Sequence, residues 1–303
     1  GNILRLNRSL RIDVTKIQTF INYLHVRFQI IPLIVLLFTD LVVIKRITNE
    51  YIISDWKLYI CFLFTLIYLF HNRVADDKRD FDFDLEHYPD RHIQSGQIDI
   101  HLMNKVSYLL IGLMILIAIV LGTLSQTIFL PLILYTLLAK KDFFLPKDFK
   151  IKRLFTYNFI NMLQLLLLQI FVYVSILNSY QINKTILIHI IFVFLLSIQV
   201  EITRKIKPTL SPGNELYSDR LTMKGSLILW AISGTLCGFV CVWLSSLIQI
   251  DIPKAITFVI AIQSFSILTG YLFYINKNSK YENLFWLGLI CSYVLQNAVL
   301  IYG

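Results

Sequence analysis

The sequence is poor in charge, in cysteine and in loop punctuation. Only 16% of its 303 residues are charged, against about 25% in soluble globular domains. That scarcity, set beside the hydrophobic excess described below, excludes a water-soluble enzyme, a disordered chain and a fibrous repeat. Cysteine occurs four times (Cys61, Cys237, Cys241, Cys291), always inside an apolar run. Cys237 and Cys241 are four apart with no histidine cluster near them, which is neither a disulfide framework nor a zinc site. They read as small apolar packing residues. Proline falls near segment ends and turns, apart from Pro32 and Pro131, which are positioned to kink their helices. Alternation of period two is missing, so a β-barrel is excluded. No repeat of fixed period and no low-complexity linker interrupts the chain.

What the sequence has in abundance is apolar length. Hydrophobic residues make up 56% of it, and the mean hydropathy is +0.67. Apolar runs lie at 19–44, 56–72, 105–122, 126–140, 156–178, 185–202, 225–249, 253–275 and 283–302, nine in all. A crossing needs ~20 residues, so nine would take roughly 180 residues, about 60% of the chain. The first sixteen residues are polar and basic (Arg5, Arg8, Arg11, Lys16) and do not read as a secretory leader. The expectation is an all-α polytopic membrane protein, one domain over residues 1–303, opening with a cytoplasmic arm at 1–18.

The net charge of +9 then has a topological meaning rather than a nucleic-acid one. With the N-terminus inside, the inner segments carry 22 Lys and Arg and the outer loops five, with Arg27 left inside the first span. This asymmetry orients nine spans N-in and C-out. Two long inner segments, 73–104 and 203–224, hold most of the unusual chemistry. The first has eight acids against four bases between residues 73 and 99, a net of −4 that leaves +13 elsewhere. An anionic cytoplasmic surface opposes such a loop by about 1 kcal/mol per charge, so compensation is expected.

Asn72, Asp76 and Asp80 recur every four residues and share one helical face if span two continues past His71. Carboxylates ~6 Å apart repel by roughly 3 kcal/mol at an effective dielectric of 20. Magnesium relieves that repulsion and prefers carboxylate, water and phosphate oxygens. The plainer alternative is a solvated acidic loop.

The N-x-x-x-D-x-x-x-D spacing is followed by Tyr88-Pro89-Asp90-Arg91 and Gly96, and Arg27 and Pro32 stand in span one. This pattern resembles the first signature of the UbiA superfamily of intramembrane prenyltransferases. The resemblance implies nine transmembrane helices in a ring around a central cavity, with two inner-face motifs binding Mg²⁺ and an isoprenoid diphosphate. It further implies that Asn72, Asp76 and Asp80 hold magnesium, that Asp84 assists, and that Arg91 and Arg27 contact phosphate. The sequence departs from the pattern at His92, where the family usually has proline, and at Arg73, where an aspartate often stands.

The family's second signature is an aspartate pair after span six. Here the stretch reads Glu201-Ile202-Thr203-Arg204-Lys205, so one acid persists and Lys205 stands where its partner would be. Such E-x-x-R-K forms resemble a divergent branch. A fixed ammonium can replace one metal ion as counter-charge to a diphosphate. The expectation is an asymmetric site: metal on the first loop with Glu201 as a further ligand, and Arg204 and Lys205 clamping phosphate. Lys207 is an ordinary positive-inside residue or a third clamp. Tyr217 and Ser218 match the family's Tyr-Ser pair, which implies that they position the loop or hydrogen-bond phosphate, and Asp219 is a further metal candidate. Lys141, with Lys140, ends span four on the same face. Asn158, Asn161, Gln164 and Gln169 are costly in lipid and should face a cavity or a neighbouring helix.

The function implied is Mg²⁺-dependent ionisation of an allylic isoprenoid diphosphate, with prenyl transfer to an aromatic or other small acceptor. The family's terpene-cyclase branch, which closes the substrate on itself without an acceptor, is the alternative. A third reading, from another class, is a non-enzymatic cation-binding membrane protein or transporter. It predicts charge along a path through the spans, whose interiors offer only Arg27 and Asp40. The expected partners are the diphosphate, the small acceptor and membrane lipid, with no nucleic acid. The expected setting is a bacterial inner membrane, with the motif loops cytoplasmic.

Overall fold

The structure, a computed structural model, describes residues 17–49, 51, 53–213 and 215–303. The expected N-terminal arm, up to residue 16, lies outside the described residues. Among the described residues 83% are helical and none is in a strand. The helices are α1 (Ile30–Ile47), α2 (Asp55–Arg79), α3 (Phe81–His87), α4 (Ile100–Leu121), α5 (Thr123–Lys140), α6 (Lys147–Lys152), α7 (Leu154–Leu177), α8 (Lys184–Arg204), α9 (Tyr217–Leu247), α10 (Ile252–Asn276) and α11 (Ser279–Tyr302). A helix satisfies its backbone N–H and C=O groups internally, which hydrocarbon demands of any spanning segment. Eight of these, all but α1, α3 and α6, are long and apolar enough to cross a bilayer. The chain is an integral multi-pass membrane protein.

The first apolar run is divided. Residues 17–23 are helical, Leu24–Phe28 form a π-helical turn, and Gln29 takes a left-handed conformation at φ 49° before α1 begins. Pro32 accounts for the break, because it has no N–H to return to the carbonyl of Phe28 four residues earlier. Asp40, Lys45 and Arg46 also place three charges within the 18 residues of α1. Pro131, by contrast, lies inside a continuous α5.

The chain forms two compact units. The first comprises the described residues up to Ile34 together with Leu63–Ile117; the second comprises Val35–Phe62 and Ala118–Gly303. In the first, Tyr23, Val74, Ile93, Ile98, Met103 and Leu110 make a buried core. Ile93 and Ile98 come from the segment between α3 and α4, so apolar burial holds this acidic stretch in place. Its turns are closed by Ser95 N–H to the Arg91 carbonyl (2.8 Å) and Ile98 N–H to the His92 carbonyl (2.9 Å). Gly96 sits between them at φ +74°, a left-handed conformation that side chains resist.

The second unit packs Leu154, Ile202, Ile206, Tyr217, Trp230, Phe273 and Phe285 together. Trp230 stacks edge-on against Phe285 at 4.7 Å and donates its indole N–H to Thr203 Oγ1 at 2.8 Å. The ring thereby buries its area and satisfies its one polar atom. At Gly288 a Cβ would lie 2.2 Å from Thr269 Oγ1, so α10 and α11 approach closely there.

Gly96→Ala is expected to cost about 1 kcal/mol, because no atom lies near the added methyl but the conformation is strained. Gly112→Ala, inside α4 with open space around it, should be neutral or stabilising. Thermal unfolding of the two variants in one detergent checks the pair. Equal midpoints would refute the role given to the Gly96 turn.

Candidate functional site

On the first unit, α2 stays helical well past its apolar part, to Arg79. Asp80 N–H donates to the Asp76 carbonyl at 2.9 Å and Asp84 N–H to the Asp80 carbonyl at 2.8 Å. The four-residue spacing of Asn72, Asp76, Asp80 and Asp84 therefore becomes a continuous ladder through the α2–α3 junction. Asp76 and Asp80 keep side-chain exposures of 34% and 33%. Arg79 lies between them, with Nη2 3.1 Å from Asp76 Oδ1 and Nε 3.1 Å from Asp80 Oδ1. One guanidinium thus offsets the repulsion of two carboxylates.

Asp77, one residue off the ladder, is 2% exposed. It accepts from the Tyr23 hydroxyl at 2.7 Å and from Arg27 at 2.5 Å, and it is paired with Arg73 one helical turn earlier. Asp84 is also buried, with Arg91 bonded to it and Arg27 at 3.7 Å. The Arg91 guanidinium lies 4.0 Å over the Tyr88 ring, a cation–π contact that also restricts its orientation. Arg27, Asp84 and Arg91 are therefore brought together, through Asp84 as the shared anion. Three guanidinium groups around two buried carboxylates leave an excess of positive charge beside the ladder.

Among the described residues no group of three or more His, Cys, Asp or Glu side chains is disposed to hold a metal. The donor set on the ladder is nevertheless chemically suited to magnesium. Asp76 and Asp80 present partly exposed carboxylate oxygens, and the carboxamide of Asn72 adds another oxygen. Magnesium takes one or two carboxylates and keeps much of its water. Asp84 and Glu201 are each engaged by basic side chains.

On the second unit, Glu201 accepts from Arg204 Nη2 at 2.7 Å and lies 3.4 Å from Lys205 Nζ. Lys205 also donates to Asn158 Oδ1 at 3.1 Å, and Asn158 Nδ2 donates to the Tyr217 hydroxyl at 3.2 Å. Phe155 stacks on Tyr217 at 4.9 Å. Burial pushes the Lys205 ammonium below the ordinary lysine range; Glu201 opposes that, and neighbouring Arg204 adds to it. Arg204 is half exposed and so presents its outer edge to solvent. Lys207 pairs with Glu282 on α11. Lys141 is exposed at the C-cap of α5.

Asp219 organises the connection between α8 and α9. Its carboxylate accepts from Ser211 N–H (3.2 Å), Ser211 O–H (2.5 Å) and Leu216 N–H (3.0 Å). Tyr217 N–H returns to the Lys205 carbonyl at 2.9 Å and Ser218 Oγ accepts from Lys207 N–H at 3.1 Å. Tyr217 and Ser218 thus close the base of the loop.

Sequence reasoning missed Tyr23, Arg73 and Asp77 as a buried set. The available signal was the Arg73–Asp77 spacing of four, an acid–base pair at the depth where a span ends. Asn158 was expected to face a cavity or a neighbour, and it bonds Lys205 and Tyr217. No family model, curated protein or solved structure matches the chain.

Removing the Asp77 carboxylate (Asp77→Ala) leaves buried arginines without their anion and should destabilise the protein by about 3 kcal/mol or more. Exposed Asp82→Ala should change stability by less than about 0.5 kcal/mol. Denaturation of both variants in the same detergent distinguishes them, and equal losses would refute the anchoring role.

Proposed function

We propose that the protein is a Mg²⁺-dependent intramembrane prenyltransferase of the UbiA type, with nine spans, N-in and C-out, in a bacterial inner membrane. The observation that carries this reading is the helical ladder of Asn72, Asp76, Asp80 and Asp84, with its two central carboxylates partly exposed. Asp76 and Asp80, with Asn72, would hold the magnesium. Bound there, the ion would neutralise negative charge on a departing pyrophosphate.

The chain's own cations supply the rest. Arg27 is held by buried Asp77 and Arg91 by buried Asp84, so their forks are oriented before any substrate arrives. On the second unit, Lys205 and Arg204 are assigned to phosphate oxygens, with Lys141 and Tyr217 as further contacts. Lys205 is preorganised by Asn158 and Glu201, and fixed positive charge of this kind stabilises charge that develops on the leaving group. The allylic C–O bond breaks with its electron pair going to the diphosphate. The acceptor's nucleophilic carbon or heteroatom then bonds to the allylic cation and gives up a proton.

Purified protein incubated with Mg²⁺ and allylic diphosphates of graded length, with and without small aromatic acceptors, should release pyrophosphate only when an acceptor is present. Cyclic hydrocarbon without acceptor would replace transfer by cyclisation. If no diphosphate is bound or consumed under any condition, the enzymatic reading fails and the cation-binding alternative takes its place. Asp76→Asn and Asp80→Asn should each lower turnover by about 100-fold or more while leaving the unfolding midpoint unchanged. Turnover retained in both would remove the ladder from the mechanism.

A further inference from the structure

The second unit holds buried carboxamides that the proposed reaction does not use. Gln199 on α8 is 0% exposed, and neither its Nε2 nor its Oε1 finds a hydrogen-bond partner among the described residues. Gln263 on α10 is 9% exposed, and its Nε2 is likewise unpaired. Ser266, one turn further along the same face of α10, is buried with an unpaired hydroxyl. Hydrocarbon offers such groups no bonds in exchange for those they made in water.

The two glutamines converge on one point of α9. A Cβ added to Gly234 would lie 2.7 Å from Gln199 Nε2 and 3.0 Å from Gln263 Oε1. One turn later, a Cβ at Gly238 would lie 3.5 Å from Gln263 Nε2 and 2.9 Å from Val259 Cγ1. The Gln263 side chain therefore lies across both glycines, which admit it by having no side chain of their own. Because one point is so near to both, Gln199 Nε2 and Gln263 Oε1 are at most ~6 Å apart. They are not hydrogen-bonded to each other. A single oxygen ~2.9 Å from each atom closes a separation of that size. Each carboxamide offers a donor and an acceptor but no net charge, which suits a neutral guest able to donate and accept. Water has those properties and the size of one oxygen.

We propose that Gln199 and Gln263 bind one structural water at Gly234, a hydrated node that joins α8, α9 and α10. The water accepts from Gln199 Nε2 and donates to Gln263 Oε1. Gln199 shares its face of α8 with Thr203, which accepts from Trp230 of α9, whereas Lys205 bonds Asn158 of α7. The node is therefore separate from the cationic constellation and stands independently of the prenyltransferase reading. Gln199 lies five residues before the end of α8 at Arg204, or ~8 Å along the helix axis. Water reaches it by the shorter path from that end.

The test is proton-detected solid-state nuclear magnetic resonance of ¹⁵N-glutamine-labelled protein in lipid bilayers, reading dipolar transfer from water to side-chain amides. Gln199→Met, close in shape, identifies the Gln199 carboxamide as the signal it removes. That signal should receive magnetisation from water at short mixing times despite its burial. In Gln263→Met the water keeps only one of its two anchors, and the transfer to Gln199 should be lost. A Gln199 amide that receives nothing from water in the wild type overturns the proposal, whether it is unpaired or bonded directly to Gln263. So does transfer that is undiminished in Gln263→Met, because the water then does not bridge the pair. The wild type and Gln199→Met decide the first of these alone, so a failure of Gln263→Met to fold leaves the test decisive.

Discussion

Asp77 accepts from Tyr23 and Arg27 and is paired with Arg73, all within a few residues of where α2 leaves its apolar stretch. The physical demand behind this cluster is that a charge moved out of water needs its counter-charge and hydrogen bonds at hand. Much of the polar architecture follows the same demand. Asp84 is held by Arg91, and Glu201 by Arg204 and Lys205. The hydrophobic helices supply the low-dielectric setting in which these pairs become specific in geometry, and the pairs in turn fix side chains that would otherwise move freely.

The two motif segments meet that demand in different ways. On the first unit, the buried carboxylates consume guanidinium charge while Asp76 and Asp80 remain partly exposed with one arginine between them. On the second, the single acid Glu201 is nearly enclosed by two cations, and Asn158 and Tyr217 extend the chain of hydrogen bonds. The first arrangement leaves anionic oxygen available, and the second leaves cationic edge available. That asymmetry follows from two adjacent cations, Arg204 and Lys205, flanking one acid.

Much of this was legible in the amino-acid order because it is periodic. Hydrophobic length gave the helices, and the spacing of four placed Asn72, Asp76, Asp80 and Asp84 on one face. The break at Gln29 follows from the one absent N–H at Pro32, the kink that this proline announces. Two features were not periodic and were missed. Asp77 lies one residue off the acidic stripe, and its partners Tyr23 and Arg27 come from some fifty residues away. His189 and Tyr173 look like isolated polar residues in apolar runs until the fold sets them beside Asp40. A sequence announces contacts within one helix, whereas pairings between helices emerge only from packing.

The self-contained bonding of the α8–α9 connection has an evolutionary corollary. Asp219 gathers Ser211 and Leu216, and Tyr217 returns to the Lys205 carbonyl, so the excursion is latched at its base. Changes of composition at Pro212 and Gly213 would be absorbed outside this latch without shifting Lys205 or Tyr217. The rim of this face is thereby free to diversify while the charged groups beneath it keep their places.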